Sequence, residues 1–241
     1  MHPRTVYVTT SWDDGHELDL RLASELTAHG MAGTFYLAPR CREIPSAKRL
    51  GPSAICELAE RHEIGAHTLT HPRLTDLPAH RARSEILGGK DAIENSIGRR
   101  VTSFCYPYGA YGEEHPAMVR TAGFTVARTV DRFRTGPPSD LLRMGTTVHA
   151  SRHLVDGPHV LRRARSPRQA VALWRNWDLL GRRLFEEVRS NGGVFHLWGH
   201  SWEIDANDDW RRLRSVLDEL ADQDVVFLTN GELATELQGA S

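Results

Sequence analysis

Two adjacent carboxylates and two histidines four residues apart are the side chains of this sequence whose types and spacing favour chemistry. Asp13 and Asp14 precede Gly15, and a second segment runs His67-Thr-Leu-Thr-His71. One carboxylate and two neutral imidazoles are a ligand set for Zn²⁺ or a similar divalent ion, and three protein ligands leave positions open for water. The other carboxylate then remains free as a base. We expect the two histidines to converge on one ion if the backbone between them is helical.

Each of these motifs, taken singly, also has a plain structural interpretation. Asp-Gly is typical of a turn, an aspartate can cap the helix that follows it, and a lone His-x-x-x-His pair is often incidental. The functional interpretation therefore depends on both motifs lying at the same end of the fold.

Two later segments supply further candidate groups. The loop from Tyr106 to Gly112 can present a backbone N–H to a developing oxyanion and an aromatic wall to a sugar, although Pro-Tyr-Gly also fits a simple turn. His200 directly follows an apolar segment, whereas His196 lies inside that segment, where histidines are more often packed into a core. Aromatic faces near these segments come from Trp12, Trp198, Trp202 and Trp210, although Trp12 and Trp198 fit a packed core equally well.

The apolar pattern predicts strands alternating with helices along the whole chain. The predicted strands are 6–11, 34–37, 63–66, 101–104, 124–127, 145–148, 194–198 and 225–228. The predicted helices are 19–29, 54–62, 75–97, 116–122, one long helix from Ser166 to Gly192, 209–221 and 229–237. Such alternation indicates parallel strands joined by crossover helices, and a barrel or incomplete barrel. Each candidate group follows a predicted strand, which is where parallel barrels place their catalytic groups.

Composition and charge exclude several classes of protein. The chain has 241 residues with a formal net charge of −1, which argues against a nucleic-acid binder. It has no apolar stretch long enough to predict a transmembrane helix. Its three cysteines lack C-x-x-C spacing, so neither a disulfide framework nor a thiolate zinc site is expected. The first residues lack the apolar region of a secretory signal, which predicts a cytoplasmic protein or a trimmed secreted form.

The order of the motifs along the chain resembles that of the polysaccharide deacetylase family, the NodB-homology or carbohydrate esterase family 4 type. The resemblance runs from about Val6 to Leu237, and the metal motif is its most specific part. It implies an α/β fold, a distorted (β/α) barrel of about seven strands, in one domain over residues 1–241. It also implies one divalent ion, first of all Zn²⁺, with Co²⁺, Ni²⁺ and Mn²⁺ as alternatives. The implied reaction removes acyl groups from sugars by attack of a metal-activated water.

The resemblance also assigns roles to individual residues. The metal ligands it implies are Asp14, His67 and His71. Asp13 corresponds to the catalytic base, the Tyr106 backbone N–H to the oxyanion donor, and His200 to the general acid.

The sequence departs from the family pattern at two places. Many members carry an arginine at the position of Cys105, and that arginine pairs with the catalytic aspartate; we hypothesise that Arg128, which follows the fifth predicted strand, supplies the contact here. The late histidine motif is one residue off the commoner spacing. The general acid is therefore either His200 or His196.

Three functions from two classes fit these residues. The first is a metal-dependent deacetylase acting on an N-acetylated sugar or polysaccharide, with a carbohydrate or glycoconjugate as its substrate. The second is a related C–N hydrolase acting on a small amide, a formyl-sugar or a cyclic ureide, because one fold supports many substrates. The third is a non-catalytic carbohydrate-binding barrel. A free carboxylate at Asp13 beside a metal motif argues against the third.

Overall fold

One parallel sheet organises the molecule. The computed structural model describes residues 5–239, so the first four residues, on which the expectation about localisation partly rests, lie outside it. The strands are β1 Val6–Asp14, β2 Thr34–Leu37, β3 Glu63–Ala66, β4 Ser103–Cys105, β5 Val126–Arg128, β6 Val148–His149, β7 Gly193–Gly199 and β8 Val226–Phe227. Their order is β5-β4-β3-β2-β1-β7-β6, with β8 paired to β1, and every pair is parallel.

The sheet curls into a half-barrel, which confirms the predicted distorted (β/α) barrel. Seven strands form the continuous path, and a single parallel bridge from Arg128 to Met144 links β5 to the segment that leads into β6. Strand β1 lies between β2 and β7. Residues at its carboxyl end therefore lie near the middle of the row of strand ends.

Helices follow most of the strands and cover the sheet. Their bounds are α1 Asp19–Ala28, α2 Pro52–Ala59, α3 Ala79–Ile97, α4 His115–Thr121, α5 Gly157–Arg163, α6 Pro167–Arg175, α7 Trp177–Asn191, α8 Ser201–Ala206, α9 Trp210–Ala221 and α10 Asn230–Gly239. Helix α9 illustrates how an amphipathic helix packs on the core, because its apolar side chains form one buried stripe made of Leu213, Val216, Leu217 and Leu220. Among the described residues, no helix combines the length and the apolar character needed to cross a bilayer.

Several element boundaries differ from the sequence prediction. Strand β1 continues past Ser11 to Asp14 because these residues pair with Thr34–Leu37 of β2. The long helix predicted from Ser166 divides into α6 and α7 because Asn176 has extended dihedrals of φ −126° and ψ 103°. Helices α5 and α8 are additions, since both are short and the sequence pattern gave no helical signal there.

Candidate active site

Asp14, His67 and His71 meet at the carboxyl ends of β1 and β3. Asp14 Oδ1 lies 3.5 Å from His71 Nε2 and 3.8 Å from His67 Nε2, and the two imidazole nitrogens are 3.1 Å apart. All three side chains are buried. Asp14 Oδ1 has no hydrogen-bond partner within residues 5–239. A buried, unpartnered carboxylate oxygen that faces two imidazole nitrogens fits a divalent cation.

Left-handed backbone brings these three side chains together. Asp14, Thr68 and His71 have φ of 84°, 65° and 63°. Neighbouring side chains on a regular strand point to opposite faces, so the positive φ at Asp14 redirects this side chain at the end of β1. The two histidines converge without the helical backbone named as the condition above: a loop closed by the His71 N–H, which donates to Thr68 Oγ1, brings them together.

Glu85 of α3, which was not predicted from the sequence, holds the loop from His67 to His71, here called the histidine loop. Its carboxylate accepts hydrogen bonds from the backbone N–H groups of Leu69 and Thr70 at 3.1 and 2.8 Å. It also accepts one from the Thr70 hydroxyl at 2.9 Å. Glu85 lies 14 or more positions beyond the histidines in an ordinary helical pattern, so only the folded contact identifies it.

The tautomer of His67 suits metal ligation. Its Nδ1 lies 2.7 Å from the carbonyl oxygen of Cys105, and a carbonyl only accepts, so this nitrogen carries the proton. The lone pair of Nε2 then faces Asp14 and His71. Burial, assisted by neighbouring His71, lowers the pKa of His67 to about 4, although Asp13 and Asp14 act in the opposite sense. The ring is therefore neutral near pH 7.

Asp13 pairs with a buried arginine instead of joining the cluster. Arg128 Nη2 donates to both carboxylate oxygens, and the guanidinium lies 4.5 Å from the ring centroid of Trp198 and 5.4 Å from that of Tyr36. Burial raises the pKa of Asp13, but Arg128, by its charge and its hydrogen bond, and the charges of His67 and His200 together outweigh burial and bring the pKa down to about 2. Asp13 is thus an ionised carboxylate beside the cluster.

The contact of Arg128 with Asp13 follows from strand pairing. Cys105 of β4 and Arg128 of β5 are register partners, and Cys105 Sγ lies 3.9 Å from Asp13 Oδ2. An arginine on the neighbouring strand therefore reaches the same carboxylate that an arginine at position 105 would approach. Arg128 is the last residue of β5, whereas the sequence pattern predicts that it lies just past the strand.

His200 faces the cluster from the end of β7. Its Nε2 lies 3.8 Å from Asp14 Oδ2, and its Nδ1 donates to Glu203 Oε2 at 2.5 Å. Burial lowers the pKa of His200, but the hydrogen bond to Glu203 and the charges of Asp14 and Asp13 outweigh it and raise the value to about 9. Trp202 donates its indole N–H to Asp14 Oδ2 at 3.1 Å. Neither Glu203 nor this tryptophan contact was assigned from sequence.

His196 is placed differently from His200. Its Nδ1 lies 2.9 Å from the Thr9 hydroxyl and its Nε2 lies 2.8 Å from the Ser11 hydroxyl, both on β1. Burial is the main cause that lowers the pKa of His196 to about 3. Both ring nitrogens of His196 are therefore engaged by β1, whereas Nε2 of His200 faces the cluster. The structure brings His200, and not His196, to the cluster.

The Tyr106 backbone N–H is not available to an oxyanion. It donates to the carbonyl of Arg128 at 3.1 Å, because Tyr106 continues the extended chain of β4 beside β5. Its ring is fully buried, and its hydroxyl donates to Leu142 O.

Tyr108, two residues later, lies in the first turn of a short 3-10 helix with φ 57°, and its ring centroid is 4.7 Å from that of His71. Amides at a helix start lack an acceptor within the helix, so Tyr108 offers the loop donor that was assigned to Tyr106.

Comparison with known proteins agrees with this arrangement of residues. A family model described as polysaccharide deacetylase matches residues 1–127, just over half of the chain. The chain belongs to the polysaccharide deacetylase family. A chitooligosaccharide deacetylase of Azorhizobium caulinodans is 31% identical over 123 residues, which cover 49% of this chain and 55% of that protein. The matched segment thus spans about half the length of this curated relative.

Solved structures of deacetylases share the fold. A Mycobacterium smegmatis protein assigned as a polysaccharide deacetylase superposes with a TM-score of 0.73 at 18% identity, covering 99% of this chain and 92% of that one. The peptidoglycan deacetylase of Bacillus subtilis gives 0.60 at 18% identity, covering 100% and 96%. A family 4 carbohydrate esterase of Streptomyces lividans, in complex with acetate, gives 0.56 at 18% identity, covering 89% of each chain. At these identities the likeness supports the fold alone.

Proposed function

We propose that this polysaccharide deacetylase family member is a divalent-metal-dependent hydrolase that releases acetate from an N-acetylated sugar. One observation carries the proposal: a carboxylate held ionised by a buried arginine, Asp13 with Arg128, lies beside a separate carboxylate-and-imidazole cluster. A site that only binds sugar has no need for this division between a free base and a set of metal ligands.

Asp14, His67 and His71 are the residues that would hold the ion. Two imidazoles and one carboxylate suit Zn²⁺, with Co²⁺, Ni²⁺ and Mn²⁺ as alternatives. When bound, such an ion lowers the pKa of a water toward ~7 and polarises a carbonyl oxygen. The Cys105 carbonyl supports this role, because it fixes the tautomer of His67.

The remaining residues divide the proton transfers between them. Asp13 takes a proton from the attacking water, and Arg128 keeps this carboxylate ionised and oriented. His200, held by Glu203, donates a proton to the departing nitrogen as the C–N bond breaks. Asp13 gains one proton in this sequence and His200 loses one. The return of a proton from Asp13 to His200 therefore restores both groups. The Tyr108 N–H stabilises charge on the acyl oxygen.

Two aromatic side chains beside the site favour a sugar substrate. The side chains of Tyr108 and Trp202 are 41% and 38% exposed, yet Tyr108 contacts His71 and Trp202 contacts Asp14. Exposed aromatic faces next to a reaction centre suit stacking on a pyranose ring. The name of the Azorhizobium relative points to N-acetylglucosamine oligomers as the first substrates to test.

The test is acetate release from short N-acetylglucosamine oligomers by the zinc-loaded chain and by its Asp13→Asn variant. Removing the base is expected to lower kcat by about 10²–10⁴-fold while leaving bound zinc unchanged. Small amides and formyl-sugars serve as comparison substrates. Acetate release from none of the acetylated sugars, or an unchanged kcat in Asp13→Asn, contradicts the proposal.

A further inference from the structure

A second group of metal-ligand side chains adjoins the first cluster and has no assigned function. Glu203 Oε2 lies 2.5 Å from His200 Nδ1 and 3.1 Å from His149 Nε2. The three ligand atoms lie within 4.8 Å of one another. His149 is the last residue of β6, so the group combines the ends of β6 and β7 with the first turn of α8.

The ring of His149 is fixed with Nε2 aimed at this group. It stacks on Trp198 with centroids 4.0 Å apart and planes at 15°, and its Nδ1 contacts His153 Nε2 closely. His149 is only 4% exposed. Its Nε2 pairs with Glu203 Oε2 at 3.1 Å. His200 Nδ1 contacts the same oxygen, so two imidazole nitrogens already meet at one carboxylate oxygen, as they do around a bound cation.

We infer that His149, His200 and Glu203 form a second divalent-cation site, an inference that rests on the proposed function of the first. Two imidazoles and a carboxylate repeat the donor set of Asp14, His67 and His71. Donor atoms held tetrahedrally at about 2.0–2.2 Å from Zn²⁺ stand ~3.4 Å apart, so separations of 2.5 and 3.1 Å and a third of at most 4.8 Å need changes of no more than ~1.4 Å. The cation replaces the proton that His200 and Glu203 share.

Occupation of this second site is inhibitory. The two sites adjoin, since His200 Nε2 lies 3.8 Å from Asp14 Oδ2. A cation bound to His200 Nδ1 and Glu203 takes both groups away from the transfer of a proton to the leaving nitrogen. Zinc therefore activates the chain when it fills the first site and inhibits it at higher concentration, when it fills the second.

The experiment is equilibrium dialysis of the full chain against zinc alone, with three matched variants. His149→Phe keeps an aromatic ring on Trp198 but removes the donor nitrogen, and Glu203→Gln removes the carboxylate. His80→Gln removes an exposed histidine of α3 and controls for adventitious surface binding. The wild type and His80→Gln are expected to bind two ions. His149→Phe and Glu203→Gln keep the tighter ion and bind the weaker one at least about tenfold less well.

The activity measurement separates this inference from the proposed function. Inhibition of acetate release by excess zinc is expected in the wild type and is expected to need at least about tenfold more zinc in His149→Phe. A chain that binds one ion and releases acetate without inhibition by zinc overturns the second site alone. Two ions retained in both His149→Phe and Glu203→Gln also overturn it. A chain that binds no ion contradicts the second site and the proposed function together.

Discussion

At the residue scale, the Asp13–Arg128 pair sets the charge state of the site. Both side chains are buried, and the guanidinium contacts both oxygens of the carboxylate. Burial raises the pKa of Asp13, but the charge and hydrogen bond of Arg128, together with the charges of His67 and His200, outweigh burial and bring the pKa down to about 2. A folded-state pKa below the unfolded value of about 3.9 stabilises the fold above that value, and this contribution is lost as pH falls toward 2.

Replacing Arg128 by methionine is expected to destabilise the fold by about 3–5 kcal/mol at pH 7, because it leaves the carboxylate of Asp13 buried without a partner. Urea denaturation measures the change. The control is the double variant Arg128→Met with Asp13→Asn, in which both charges are gone and the loss should be smaller. Equal losses in the single and double variants would mean that the ion pair has no such role.

His196 makes stability depend on pH over a different range. Its pKa of about 3 in the folded state lies below the unfolded value of about 6.5, so the unfolded chain binds the extra proton between these values. This contribution to stability is complete above about pH 6.5 and is lost as pH falls toward 3. In His196→Gln, the slope of unfolding free energy between about pH 4 and 6 should fall by about 1.4 kcal/mol per pH unit. Urea denaturation at several pH values tests this, and an unchanged slope contradicts the account.

At the element scale, close packing of α3 positions the histidine loop. A Cβ at Gly89 would lie 2.5 Å from the backbone C and O of Thr68, which sits between the loop residues His67 and Leu69. A Cβ at the adjacent Gly88 would meet only the flexible Leu69 side chain, at 3.2 Å. The helix can approach the loop this closely only because residue 89 has no side chain.

Gly89→Ala is therefore expected to displace the loop, lower thermal stability and weaken zinc binding at least about tenfold. Gly88→Ala is the matched control and should be neutral or more stable by up to about 1 kcal/mol, since alanine favours helix. Zinc affinity and melting temperature of the two variants check this. Similar zinc affinity in both would show that the approach of α3 does not position the ligands.

The sequence predicted which residues meet at the strand ends, but it did not predict the backbone conformation that brings them together. Asp13, Asp14, His67, His71, Arg128 and His200 lie together in the structure because motifs that follow parallel strands collect at one edge. The left-handed φ of Asp14 and His71 has no signal in the pattern of apolar residues. The assignment to Tyr106 came from the resemblance, and the structure does not favour it because the Tyr106 N–H already donates to the carbonyl of Arg128. Glu85, His149 and Glu203 were missed because their partners are distant in sequence or have no shared motif.

At the scale of the whole molecule, parallel strands explain how separate parts of the chain form one site. The candidate residues come from β1, the loop after β3, β5 and the end of β7, and all of these strands run in the same direction. The candidate ligands Asp14 and His71 are 57 residues apart in sequence and depend on the pairing of β1 with β2 and of β2 with β3. The proposed metal site is thus a property of the folded sheet.

Zinc titration of the metal-free chain, with bound zinc and acetate release from an N-acetylglucosamine oligomer followed together, tests the central claim most directly. We predict that acetate release rises in proportion to the first bound equivalent of zinc. His71→Ala, which lacks one ligand of the first site, should lose both the tight binding and the activity. Full acetate release by the metal-free chain, or an unchanged zinc dependence in His71→Ala, would contradict the account.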